Sequence, residues 1–177
     1  MNKILIQKYK SPFGELIIGS FENQLCLCDW HHRKMRGNID DRIKKALNAE
    51  YIEKNTPLIQ FTIEQLSEYF NKKRKDFDIP LLFAGTEFQK RVWAELLKIP
   101  FGKTETYLGL SQRLGNEKAI RAVAATNGAN AISIIVPCHR IIGSNGDLVG
   151  YAGGLSSKKK LLVLEEAFPD SNQLNLF

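Results

Sequence analysis

Apolar residues change their spacing twice along this chain. In GELIIGSFENQLCLCDW, residues 14–30, two compact apolar runs, Leu16–Ile18 and Leu25–Trp30, flank the polar triplet Glu22-Asn23-Gln24. Short apolar runs joined by turn-forming residues predict a β-hairpin. Asp41–Ile52 and Phe61–Phe70 then adopt helical spacing, with Ile63, Leu66 and Phe70 at i, i+3 and i+7 on one expected buried face. Phe77–Leu81 reads as a short strand, which Pro80 confines to an edge or an end because proline has no N–H for a ladder.

The pattern changes again around Leu82–Gly85, predicting a first domain over 1–83, a second over 84–169 and a flexible tail over 170–177. Thr86 stands where it can cap a helix whose Phe88, Val92, Leu96 and Ile99 recur at close to i, i+4 and i+8; Trp93 widens that face, and Pro100 with Gly102 stops it. Two shorter helices follow, Tyr107–Leu114 closed by Gly115-Asn116 and Glu117–Thr126 closed by Asn127-Gly128, the outline of a helix-turn-helix. Most such pairs only pack together, so the outline alone does not specify DNA. The second helix, EKAIRAVAAT, is mostly alanine around a single Arg121. Such a face suits close approach to a nucleic-acid groove, and it equally describes an ordinary alanine-rich helix with a surface arginine. Ala131–Val136 is apolar and β-branched, a buried strand that Pro137 should end. Together these elements predict an α/β (α+β) protein: a small antiparallel sheet with helices, then a mostly helical domain with a helix-turn-helix and a short active-site strand.

With 44% apolar and 25% charged residues, 177 residues suffice for one or two modest globular domains. No apolar run reaches the roughly 20 residues of a membrane span. Met1–Lys10 lacks the apolar block of a signal peptide, so a cytoplasmic protein without membrane attachment is expected; the expected state is a monomer. The net charge of +6 is uneven: residues 84–164 carry eleven Lys and Arg against five Asp and Glu, while residues 1–83 carry fourteen against eleven. A basic second half can steer toward a polyanion. The run Lys72–Lys75 follows a helical stretch and can simply complement a helix C-terminus.

Three cysteines, Cys26, Cys28 and Cys138, make an odd set that reads as thiols rather than a disulfide framework. Cys138 lies in IIVPCHR beside His139. A lone cysteine is more often a buried structural residue, and neighbours on a regular strand point to opposite faces. A nucleophilic Cys138 therefore requires a turn. It also requires a base, because a free thiol is only a few per cent thiolate at neutral pH. His139 can serve directly or through a water, and Glu165, in SSKKKLLVLEEAF, is the candidate to fix its tautomer.

PCHR, preceded by RAVAATNGAN and followed by GYAGGL, resembles the signature region of the O6-alkylguanine-DNA alkyltransferases. The resemblance covers roughly residues 85–166 and includes GTEFQKRVWAELLKIPFGKTETYLGL, LGNEKAIRAV and KKKLLVLEE; SPFGELIIGS is a fainter match in the first domain, which the resemblance makes ribonuclease H-like. It implies direct-reversal DNA repair, in which O6-alkylguanine, with O4-alkylthymine as a further substrate, is flipped from the duplex and loses its alkyl group irreversibly to Cys138, once per molecule. His139 would take the thiol proton through a water and Glu165 would orient His139. Asn130 would be the hinge between recognition helix and active-site strand. Tyr107 would press on the target phosphate and donate to guanine O6. Arg121 would fill the vacated stack, and Ala122 and Arg140 would join Arg121 and Tyr107 against double-stranded DNA in its minor groove. Tyr151, Ala152 and Val136 would form the base pocket.

No cofactor is implied. Some members of the family bind zinc in the first domain, and CLCDWHH supplies Cys26, Cys28, His31 and His32; but Cys-x-Cys lacks the usual ligand spacing, so buried strand cysteines are the expectation. Gln173-Leu174-Asn175-Leu176-Phe177 resembles the peptide by which bacterial DNA-repair and replication proteins bind the sliding clamp, with packing onto the chain itself as the alternative. A non-catalytic alkylated-DNA-binding relative would lack the acceptor cysteine. A cysteine hydrolase would not account for Arg121 and Asn130 together.

Overall fold

In the computed structural model, which describes residues 1–170, four strands form one sheet in the order β3-β2-β1-β4. β1 (Asn2–Ser11) runs antiparallel to β2 (Gly14–Phe21), and β2 antiparallel to β3 (Gln24–Trp30). Glu22 and Asn23 join β2 to β3 at φ 47° and 61°, the doubly left-handed conformation whose twist matches a two-residue hairpin. β4 (Ala49–Glu53) lies parallel to β1, with Asn2 opposite Ala49. The sheet is therefore mixed, not the purely antiparallel one expected.

The predicted helix Asp41–Ile52 is corrected at the same place. α1 (Arg36–Leu47) stops at Asn48, which takes the left-handed conformation at φ 47°, and the chain turns into β4. Phe77–Leu81 is not a strand either. It gives one bridge, Leu25 with Leu81, in which the Leu25 N–H donates to the Pro80 carbonyl and the Leu82 N–H donates to the Leu25 carbonyl. Proline's acceptor serves the ladder where its nitrogen cannot.

Both faces of the sheet are covered. Ile4, Ile17 and Cys26 pack with Ile39 and Ile43 of α1; Leu16, Ile18, Cys28 and Trp30 pack with Ile59, Leu66 and Tyr69 of α2 (Pro57–Phe70) and with the C-terminal half. Ile63 and Phe70 are only partly buried, at the margin of that helix face. A register shift between Gly19 and Ser20 leaves Cys26 as the extra residue of a β-bulge. The sulfurs of Cys26 and Cys28 thus enter opposite cores, and the zinc ligand set of Cys26, Cys28, His31 and His32 does not fit the fold.

α3 (Glu87–Leu96) begins with the full capping box: Thr86 accepts from the Gln89 N–H while the Gln89 side chain accepts from the Thr86 N–H. α4 (Tyr107–Arg113) and α5 (Ile120–Gly128) form the helix pair, joined through a 3-10 turn at Glu117–Ala119 and packed across the fully buried Leu110 and Val123. β5 (Glu105–Thr106) pairs parallel with β6 (Ile141–Ile142), and α6 (Leu155–Leu164) closes the described part. Ala131–Val136, the expected strand, makes one bridge through Ile132 to Cys28 and then turns. Ile134 sits at φ 72°, and the Ile135 N–H donates to the Ser133 carbonyl at 2.8 Å in a γ-turn. A β-branched residue there costs about 1–3 kcal/mol, which the burial of Ile132, Ile134 and Val136 offsets. Among the described residues no helix is long and apolar enough to cross a membrane.

Candidate active site

The γ-turn delivers the chain to Pro137, and the Cys138 N–H reaches back across it to the Val136 carbonyl at 2.8 Å. Cys138–Arg140 form one 3-10 turn, closed by the Arg140 N–H on the Pro137 carbonyl. At three residues per turn, neighbouring side chains leave the axis about 120° apart. Cys138, 4% exposed, lines a cleft of about 720 Å3, whereas His139 is fully enclosed. Asn130 braces the turn from within: its Nδ2 donates to the carbonyls of Ile132 (3.3 Å) and Val136 (2.9 Å), and its Oδ1 accepts from the Ile132 N–H (2.9 Å).

Tyr107, Tyr151 and Ala152 join Cys138 in the cleft, and Trp30 and Arg33 complete it from the sheet side. Trp30 Nε1 donates to the Tyr151 hydroxyl at 3.1 Å, and the Tyr107 hydroxyl donates to the Val149 carbonyl at 2.9 Å. Gly153 lies flat on the same indole, where a Cβ would stand 2.6 Å from a ring carbon. Outside the cleft, α5 presents Arg121, Ala122, Ala125 and Gly128 to solvent. Among the described residues no hydrogen bond or ion pair engages the Arg121 side chain.

Behind Cys138, Glu165 gathers four donors. It is 2% exposed and accepts from His139 Nε2 (2.8 Å), Arg140 Nε and Nη2 (2.9 Å each) and the Tyr69 hydroxyl (2.7 Å). Burial alone would raise its carboxyl, but His139 and Arg140 reverse that and hold it well below the usual carboxylate range. An ionised carboxylate only accepts, so the His139 nitrogen facing it, Nε2, carries the proton. Burial lowers His139 below its ordinary 6.5 against the pull of Glu165. The ring is therefore neutral near pH 7, with its lone pair on Nδ1, a buried atom without a hydrogen-bond partner among the described residues. Burial raises the Cys138 thiol, with the Asn130 side chain acting in the opposite sense. Cys138 is thus a protonated thiol beside a neutral imidazole of fixed tautomer.

The sequence matches the DNA binding domain of 6-O-methylguanine DNA methyltransferase over residues 87–167 and the ribonuclease-like domain of the same proteins over residues 4–83. The methylated-DNA–protein-cysteine methyltransferase of Methanosarcina acetivorans is 41% identical over 157 residues, covering 89% of this chain and 95% of the relative. The chain belongs to the 6-O-methylguanine DNA methyltransferase family. The constitutive methylated-DNA–protein-cysteine methyltransferase of Bacillus subtilis is 38% identical over 159 residues, covering 87% of this chain and 90% of the relative. The crystal structure of Mycobacterium tuberculosis OGT in complex with DNA superposes with a TM-score of 0.77 at 33% identity, covering 93% of each chain.

Against the roles that the methyltransferase family implies, two residues are placed differently. Arg140, expected at the DNA, is 6% exposed and occupied by Glu165 and by the Ile99 carbonyl, to which Nη1 donates at 2.6 Å. Val136, expected in the pocket wall, is fully buried beneath the turn and contributes its carbonyl to Asn130 instead. Gln173, Leu174, Leu176 and Phe177 lie outside the described residues.

Two groups in the site escape sequence reasoning. Asp29, fully buried, accepts from Arg33, Arg36, the Trp30 N–H and Ser133 Oγ, tying the end of β3 to the γ-turn. Lys158, fully buried on α6, donates through Nζ to the carbonyls of Ile141, Val149 and Gly150 and is pushed down to about 8 by burial. The only sequence signal for it was its place in the SSKKK run, where it looks like a solvated charge. Because the Val149 carbonyl also holds the Tyr107 hydroxyl, Lys158 fixes one wall of the cleft. Lys158→Met is expected to lower unfolding free energy by about 3 kcal/mol, from one buried carbonyl (Ile141) and two part-buried ones (Val149, Gly150) left without a charged donor, as read by urea denaturation.

Proposed function

We propose that this chain repairs O6-alkylguanine in DNA by transferring the alkyl group to Cys138, once per molecule. The observation that carries the reading is the pairing of a cleft-lining thiol with a neutral, Glu165-bound His139 under a helix pair whose exposed face is small and bears Arg121. Family membership supplies the reaction class. Cys138 is 4% exposed at the wall of the cleft, so no alkyl group on a stacked base reaches its sulfur. The base leaves the duplex and enters the cleft, at a cost of a few kcal/mol that weakened pairing of the damaged base reduces. α5 lies along the minor groove, and Arg121 takes the vacated place in the stack.

In the transfer, the Cys138 proton passes through a bridging water to His139 Nδ1, while Nε2 stays bound to Glu165. The thiolate attacks the alkyl carbon, the S–C bond forms and the C–O6 bond breaks. The electron pair goes to guanine, whose O6 is stabilised by a hydrogen bond from Tyr107. The thioether has no leaving thiolate, so thiol exchange does not regenerate Cys138.

Incubating the protein with duplex DNA containing O6-methylguanine and digesting it for mass spectrometry tests the proposal. One added methyl is expected on the Cys138 peptide and none in Cys138→Ala, which still binds the duplex. A protein that binds the DNA and keeps an unmodified Cys138 overturns it.

We also propose that Gln173-Leu174-Asn175-Leu176-Phe177 binds a bacterial sliding clamp; the support is the sequence pattern alone, two large apolar residues behind a glutamine. Deleting residues 173–177 is expected to abolish clamp binding in surface plasmon resonance and leave alkyl transfer unchanged. Undiminished clamp binding by the deletion variant rejects this.

A further inference from the structure

The fold that separates Cys26 from Cys28 brings together a different set of ligand atoms. Antiparallel pairing sets Leu16 opposite Trp30, so one step further on Glu15 faces His31, whose N–H donates to the Glu15 carbonyl at 2.9 Å. The chain turns at His31-His32, bringing the two imidazoles edge to face with ring centres 4.5 Å apart. One ligand atom from each of Glu15, His31 and His32 then falls within 4.8 Å of the others.

Two details separate this cluster from an ordinary surface ion pair. His31 Nε2 stands 3.9 Å from Glu15 Oε1, beyond hydrogen-bond range, and His31 Nδ1 is buried without a partner among the described residues. A buried ring nitrogen without a partner is an unfavourable arrangement for the protein alone. By contrast, two ligands on one tetrahedral zinc, with bonds of 2.0–2.2 Å, lie about 3.4 Å apart, so the observed gap closes on an ion by a small side-chain shift. The nearest guanidinium in sequence does not compete for this space: Arg33 is turned away onto Asp29 and the carbonyls of Gly128 and Asn130.

We propose that Glu15, His31 and His32 form a binding site for a divalent transition cation of the zinc type at the rim of the Cys138 cleft, which Glu15 and His32 both line. Two neutral imidazoles and one carboxylate are the donor set that zinc accepts with a fourth position left for solvent. The bound ion clips the start of β2 to the turn after β3 and sets a fixed positive charge beside the cleft. The inference is independent of the alkyl-transfer reading, since it uses none of the residues behind Cys138.

The chain has three histidines, so the imidazole spectrum resolves the question. Full-length protein carrying Cys138→Ser, which removes the accessible thiol, is titrated with Zn2+ while ring signals are followed by long-range 1H–15N NMR, and stoichiometry is measured by equilibrium dialysis. The signals of His31 and His32 are expected to move together at one ion per chain while His139 stays fixed. Glu15→Gln or His32→Ala should weaken binding by about tenfold or more, and the double change His31→Ala/His32→Ala should abolish it in a protein of unchanged circular dichroism. Signals of His31 and His32 that do not respond to excess Zn2+, or equal binding by the double variant, overturn the site.

Discussion

Glu165→Ala is expected to cost about 3–5 kcal/mol of folding stability and to slow alkyl transfer by about 10²–10⁴-fold. The size of the first effect follows from what is left behind: the Arg140 guanidinium, 6% exposed, keeps the Ile99 carbonyl and the Phe101 ring but no counter-charge among the described residues, and Tyr69, fully buried, loses its acceptor. The second follows from the tautomer. Without an acceptor at Nε2, the His139 proton is free to sit on Nδ1, and the base faces the wrong way. Urea denaturation and single-turnover transfer at saturating DNA read the two effects separately. Normal transfer by Glu165→Ala would remove His139 from the proposed mechanism.

The same cluster sets the acid sensitivity of the protein. His139 is lowered in the folded state, so on acidification through 6.5 the unfolded chain takes up a proton that the folded chain refuses, and stability falls. Glu165 is also lowered, and its contribution, complete above the ordinary carboxylate value of 4.5, is lost progressively as pH falls below it. Transfer rate, in contrast, should hold to below pH 6.5, because the folded imidazole remains neutral there.

Asp29→Ala is expected to destabilise the fold by a comparable amount, about 3–5 kcal/mol, although the residue lies in the other half of the molecule from Cys138. Its carboxylate neutralises Arg33 and Arg36 at 3.0 and 2.9 Å and accepts from Ser133 Oγ at 3.1 Å. Removing it leaves Arg33 with carbonyl acceptors and no counter-charge among the described residues, leaves Arg36 to pair with Asp40, and releases the γ-turn that carries Ile134. Transfer should therefore be slower even at temperatures where the variant remains folded. A denaturation midpoint within error of the parent protein would show that water replaces the carboxylate, and the structural role given to Asp29 would fail.

Elements governed by local rules were legible in the sequence. Thr86 announces the start of α3, and Glu22-Asn23-Gln24 announces a hairpin, because both act within four residues of chain. What escaped depends on distant partners. Ala49–Glu53 continues the helical spacing of α1, and only β1, almost fifty residues earlier, makes it a strand. Ala131–Val136 has strand composition throughout, and nothing in it reveals that Ile134 will be held in a left-handed conformation. In the site, Cys138, His139 and Glu165 were legible from the needs of a thiol nucleophile together with the family resemblance, whereas Asp29 and Lys158 acquire their roles only from partners in other elements. Arg140 was misread for the same reason: its guanidinium is matched by a carboxylate 25 residues away.

Arg33 lends α5 a mechanical character. Its guanidinium grips the carbonyls of Gly128 and Asn130 at the C-terminal end of the helix, while the N-terminal end, with Arg121, stands in solvent. The helix is about 13 Å long; the buried Val123 and the Trp93 indole on the Thr126 carbonyl hold its inner face, and Arg33 ties its C-terminal end. The Asn130 carbonyl that Arg33 holds and the Asn130 side chain that braces the Cys138 turn belong to one residue, so the end of α5 and the floor beneath Cys138 share a single anchor.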